Sequence, residues 1–208
     1  MTYTEAYVHI DNLLDKAGTG YFTDDEKNKF LDLATWEYTE YLVNTLESDA
    51  ESMIKLAPLT RTETPSTMVP SGNAVFINLH EDTYHILSVS TVEGDYNVNI
   101  VSYNEFELAK KDPFHKPTIE APIAVLQGSN FLRRLLMYGT TSSVVIQYII
   151  NPFTTYGNTT GIENWPHLGG FMERCSSEIV NIAVRKMMLS LEDPRYQLQA
   201  NELSADKR

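Results

Sequence analysis

Apolar residues in this chain keep helical spacing as far as Pro58, alternate in strand fashion between Ala74 and Ile150, and return to helical spacing from Gly170 to Leu191. A period of about 3.6 residues and a period of about 2 cannot belong to one element, so these two switches divide the chain. Residues 1–58 are expected to form the N-terminal helical part of a bundle, 59–168 a β-rich insert with a short helix, and 169–208 a C-terminal helix with a docking tail. The expected fold class is α+β, with two N-terminal helices and a C-terminal helix carrying an antiparallel β-rich insert.

Within the first part, Tyr3, Ala6, Ile10, Leu13, Leu14 and Ala17 share one helical stripe, and Gly18 and Gly20 end the helix. Thr23-Asp24-Asp25-Glu26 fits a capping box, in which the Thr23 hydroxyl accepts from the third helical N–H and Glu26 reaches back. The helix that starts there has its apolar stripe at Phe30, Leu33, Ala34, Tyr38, Tyr41, Leu42 and Leu46, and Met53, Ile54 and Leu56 carry it on toward Pro58.

In the insert, Ala74–Leu79, Tyr84–Val92 and Tyr96–Val101 read as a meander turned at Glu93-Gly94-Asp95, with Tyr96, Val98 and Ile100 on one face. Ser102 and Glu105 form a second capping box, so Tyr103–Lys111 is a short helix stopped before Pro113. Ile123–Gln127, Leu132–Tyr138 and Ser143–Ile150 complete the strands, followed by a long Gly/Thr/Asn loop over Asn151–His167. In the closing helix Phe171, Cys175, Ile179, Ile182, Ala183, Met187 and Leu191 share a face, and Asp193-Pro194 halts it.

With 208 residues, and 12 Tyr, 8 Phe and 2 Trp to pack, the chain can bury a substantial core. Its single cysteine allows no internal disulfide, which fits a reducing compartment. No secretory leader is expected, because Thr2–Gly20 lacks a basic stretch followed by an apolar run. No membrane insertion is expected either, since a span needs about 20 apolar residues. The net charge of -12 is uneven: residues 1–60 hold 12 acids against 4 bases, 61–122 hold 9 against 4, and 123–208 hold 7 against 8. That balance disfavours tight nucleic-acid binding, which depends on Lys and Arg neutralising phosphates.

No motif for catalysis, a cofactor or a metal emerges. His80-Glu81-Asp82-Thr83-Tyr84-His85 has one residue too many between its histidines for the zinc pattern H-E-x-x-H, and reads as a turn between strands. No serine sits in a nucleophile elbow, and Cys175 lies on an apolar stripe. Gly169-Gly170 before a helix is a hinge or an anion seat, without the lysine and preceding strand of a phosphate-binding loop. Arg133 and Arg134, neighbours in a strand, point to opposite faces.

Aromatic side chains point instead to recognition. Phe153, Tyr156 and Trp165 on the long loop are candidate subunit-interface residues, while Tyr138 and Tyr148 are either interface or core. After Pro194 the chain leaves in a new direction. Asp193, Pro194, Arg195, Tyr196, Gln197 and Leu198 are therefore candidate docking residues, the alternative being a terminus folded back on its own helices.

Three stretches together resemble the ring-forming head-to-tail connector proteins in the neck of crAss-like and related tailed bacteriophages. They are Ile10-Asp11-Asn12-Leu13-Leu14-Asp15-Lys16-Ala17-Gly18-Thr19-Gly20-Tyr21-Phe22-Thr23, then Val101-Ser102-Tyr103-Asn104-Glu105-Phe106 with Asp112-Pro113-Phe114 and Pro117, and Glu178-Ile179-Val180-Asn181-Ile182-Ala183-Val184-Arg185 leading to Glu192-Asp193-Pro194-Arg195-Tyr196-Gln197. The last six residues are the most specific. The resemblance implies a non-enzymatic virion subunit, made in the host cytoplasm, that forms a homo-oligomeric ring, usually twelvefold in that family. It also implies docking to the portal protein and to adjacent neck or tail rings, with viral DNA passing through unbound. A large β-rich insert departs from the simpler adaptors of the family. The alternative is a monomeric ligand- or carbohydrate-binding module built on the insert; a hydrolase using the helical carboxylates would need a cleft that the sequence does not announce.

Overall fold

A computed structural model describes residues 3–17, 22–65, 68–71, 74–114, 116–129, 132–139, 143–153 and 169–190. The chain is mixed α+β. It divides into two compact units, one made by the described residues of Met1–Leu59 and Thr155–Arg208, the other by those of Thr60–Thr154.

The first unit holds helices α1 (Tyr3–Ala17), α2 (Asp24–Asn44), α3 (Ala50–Leu56) and α5 (Gly169–Ser190). α5 packs against each of the other three, α2 most extensively. Its buried face runs through Phe171, Cys175, Ile179, Val180, Ile182, Ala183, Val184, Met187 and Met188. Each large side chain buried there contributes roughly 1.5–3 kcal/mol. Ala6, Ile10 and Leu14 form the buried stripe of α1.

Two expectations for α2 need correction. It does not run on toward Pro58: the Thr45 hydroxyl bonds back to the Tyr41 carbonyl at 2.9 Å, and Asp49 caps a separate helix by accepting from the Glu51 N–H at 2.9 Å. The buried face is also rotated. It consists of Lys27, Asn28, Leu31, Ala34, Thr35, Tyr38, Thr39 and Leu42, whereas Leu33 and Tyr41, placed in the apolar stripe, are exposed. Thr35 and Thr39 can be buried because their hydroxyls donate to the carbonyls of Leu31 (2.7 Å) and Thr35 (2.8 Å), leaving no unmet polar group.

The second unit contains two sheets. One has the order β2 (Met68–Ser71), β3 (Ala74–Asn78), β7 (Leu132–Tyr138), β6 (Ile123–Ser129), β5 (Asn99–Ile100); the other has β1 (Thr60–Glu63), β8 (Val144–Ile150), β4 (Thr83–Thr91). The expected meander is therefore not formed, since β3 and β4 lie in different sheets. The Tyr96–Val101 segment touches β4 through one bridge, Ser90 with Asn97, and then β5 pairs in parallel with β6. Val98 is buried and Ile100 exposed, so the two do not share a covered face. The Thr-rich stretch after Pro58 supplies β1 and β2, two edge strands absent from the sequence reading.

Parallel strands need a crossover, and helix α4 (Tyr103–Lys111) provides it between β5 and β6. Its capping box is complete: Ser102 accepts from the Glu105 N–H, and Glu105 accepts from the Ser102 N–H at 2.9 Å. From α4, Phe106 enters a core with Val125 and Leu136, flanked by Ala74, Phe76, Val101, Ile123 and Tyr138. On β7, Leu135, Leu136 and Met137 are consecutive and all buried, so both faces of this strand are covered.

Candidate functional site

Polar side chains in the helical unit gather in two places. Between α1 and α2, Lys27 is only 5% exposed. Its Nζ lies 2.7 Å from Asp11 and 3.5 Å from Asp24, carboxylates that make burial of the charge tolerable. The Tyr7 hydroxyl bonds to Asn28 beside it.

The larger cluster joins α2, α3 and α5. Lys55 Nζ reaches the Tyr38 hydroxyl at 3.1 Å, Glu178 at 3.2 Å and Glu51 at 3.1 Å. Burial alone would favour neutral Lys55, but these three partners outweigh it and raise its pKa. Burial pushes the Tyr38 phenol up to about 12 and the Cys175 thiol up to about 12. Burial works to raise Glu178 as well, yet hydrogen bonds, Ser177 Oγ at 2.6 Å among them, hold it below the usual carboxylate range. At neutral pH Lys55 is therefore an ammonium, Glu178 a carboxylate, Tyr38 a phenol and Cys175 a thiol, all fixed in those forms. Proton transfer is fastest from groups titrating near the working pH, which these do not. What the cluster does is tie three helices; Glu37 adds a second tie between α2 and α5 by bonding Arg185 at 3.1 Å and Lys186 at 2.5 Å.

His80 and Asp82 close a local turn, with the Asp82 N–H donating to His80 Nδ1 at 3.3 Å, and His85 lies exposed on β4. Among the described residues no three His, Cys, Asp or Glu side chains converge as a metal site. Cys175 is fully buried. Arg133 and Arg134 are both exposed, and Arg133 donates to the Thr83 carbonyl at 2.7 Å. Tyr138 packs edge-on against Phe106 with ring centroids 6.5 Å apart, and Tyr148 is buried with its hydroxyl 3.2 Å from Glu63. Both are core residues. Phe153 is 40% exposed at the end of β8, its N–H bonded to Asn151 Oδ1 at 2.9 Å. Tyr156, Trp165, and Asp193, Pro194, Arg195, Tyr196, Gln197 and Leu198 lie outside the described residues. No helix among the described residues is long and apolar enough to cross a membrane.

The sequence reading missed the exposed apolar surfaces. On α2 these include Leu33, Trp36 and Tyr41; along the segment from α4 to β6 they are Leu108, Phe114 and Ile119, with Phe114 89% exposed. Phe114 is held out by a turn in which its own N–H donates to Asp112 Oδ1 at 2.8 Å. The Asp-Pro-Phe order was the available signal, because Asp at such a position bonds the amide two residues on. No family model and no curated protein matches this chain.

Proposed function

We propose that the chain is a structural virion subunit, a ring-forming head-to-tail connector that links portal to tail around the DNA channel of a tailed bacteriophage. The observation that carries this reading is the exposure of large apolar side chains in both units: Leu33, Trp36 and Tyr41 in one, Leu108, Phe114 and Ile119 in the other. Apolar groups gathered at an exposed surface mark contacts with other proteins. The resemblance to crAss-like neck connectors supplies the kind of assembly.

On this reading the helices form the body of a homo-oligomeric ring, and the segment Asp193–Leu198 docks on the portal. Phe153, Tyr156 and Trp165 belong to subunit contacts, and the assembled ring meets the adjacent rings of the neck or tail.

Mass photometry and negative-stain images of the purified chain, alone and with portal, test the reading. Rings, or recruitment onto the portal, are expected. Truncation after Leu191 is expected to keep the thermal transition and abolish portal attachment. A chain that stays monomeric and fails to co-purify with virion neck components overturns the reading, and saccharide binding by that monomer would establish the binding-module alternative.

A further inference from the structure

The two exposed apolar surfaces carry opposite unmet charge. On the outer side of α2, Leu33 and Trp36 are followed at helical spacing by exposed Glu40, with Asp32 half-buried beside them. Glu37 is already held by Arg185 and Lys186. Among the described residues Asp32 and Glu40 have no cation partner, against the single exposed Lys29 one turn earlier. Burial without a cation raises the pKa of Asp32, the sign of a carboxylate lacking its counter-charge.

Around Phe114 the arrangement is reversed. The carboxylates of that segment are engaged: Glu105 caps α4, Glu107 bonds Lys110 at 2.9 Å, and Asp112 accepts from the Phe114 N–H. Among the described residues exposed Lys111 and Lys116, on either side of Phe114, have no carboxylate partner, and Glu120 is the exposed carboxylate of the segment that is not already engaged.

We infer that the Phe114 knob of one copy, flanked by Lys111 and Lys116, docks on the Leu33–Trp36 face of α2 in a second copy, where Asp32 and Glu40 receive the lysines. The occupant is a second copy of this chain because one sequence holds both halves of a complementary pair. A contact between two different patches is heterologous, so repeating it closes a ring when the rotation per subunit divides the circle and runs into a filament when it does not. The inference rests on the ring reading and names the surfaces that build it. Apolar contact supplies the affinity, and the charges set register and partner choice.

The test uses the full chain. Lys111→Glu with Lys116→Glu is expected to weaken self-association by more than roughly tenfold, since it sets like charges against Asp32 and Glu40. Adding Asp32→Lys and Glu40→Lys to that variant reverses both faces and is expected to restore assembly. In a second measurement, a Phe114→Cys chain is mixed with a Leu33→Cys chain under mild oxidation. A mixed disulfide dimer is expected, with buried Cys175 as a silent background. Rings of unchanged stability in the charge-reversed variant, or mixing that yields no cross-link while rings still form, overturn this interface and leave the connector reading standing. Failure of the unaltered chain to assemble alone or with the portal overturns both.

Discussion

Tyr38 and Cys175 are held neutral by burial, and that makes the helical unit sensitive to alkali. A phenol or thiol raised in the folded state holds its proton more tightly there than in the unfolded chain. Stability is therefore full below the unfolded value and is lost as pH rises toward the folded one. The windows run from 10.0 to about 12 for Tyr38 and from 9.0 to about 12 for Cys175. The melting temperature is expected to fall between about pH 9 and pH 12. Cys175→Ala, although less stable at neutral pH, is expected to lose less over the first part of that range in thermal melts followed by circular dichroism. Glu178 acts at the other end: its carboxyl is depressed, so its contribution holds above 4.5 and disappears as pH falls through the depressed value. Burial of Cys175 was readable from its place on an apolar stripe. The tie of Lys55 and Tyr38 to Glu178 was not, because these residues meet across 123 and 140 residues of sequence, and local spacing carries no information at that separation.

Elements whose causes are local were legible, and those decided by their neighbours were not. Both capping boxes form as the sequence reads, because a Thr or Ser hydroxyl and a Glu three residues on need only each other. Helix α5 was readable because its apolar face is continuous. Helix α2 has apolar residues on more than one side, so its orientation is set by which face fits α5, and the small residues Ala34, Thr35 and Thr39 lie on the side that does. Strand positions were read largely correctly and strand partners were not, since alternation says which side of a strand is covered but not what lies beside it. Gly139 tests the turn after β7. Its φ is +97°, and an added Cβ would lie 2.8 Å from the Thr118 carbonyl oxygen and 3.0 Å from Pro117. Gly139→Ala is expected to destabilise the protein by roughly 1–3 kcal/mol in urea unfolding, combining backbone strain with a clash against main chain.

At the scale of the molecule, a net charge of -12 leaves duplex DNA no reason to stay. The chain is expected not to retain duplex DNA at submicromolar concentration and physiological salt in a fluorescence-anisotropy titration; tight retention would contradict the proposed role, in which DNA slides past without binding. The charge pattern was fully legible, whereas the surfaces on which it matters became visible only once the buried face of α2 was known. The helical unit is discontinuous in sequence, with α1, α2 and α3 before the β unit and α5 after it. On the ribosome, the three early helices emerge without α5, the helix against which α2 packs most extensively, and roughly 110 residues must be added before it arrives. At roughly 5–20 residues per second that interval is on the order of ten seconds. The contiguous β unit can fold in the meantime, while the unfinished helices depend on chaperones or on chance to stay apart from those of neighbouring nascent chains. Completion of the helical unit is thereby delayed until the whole β unit and α5 have been made.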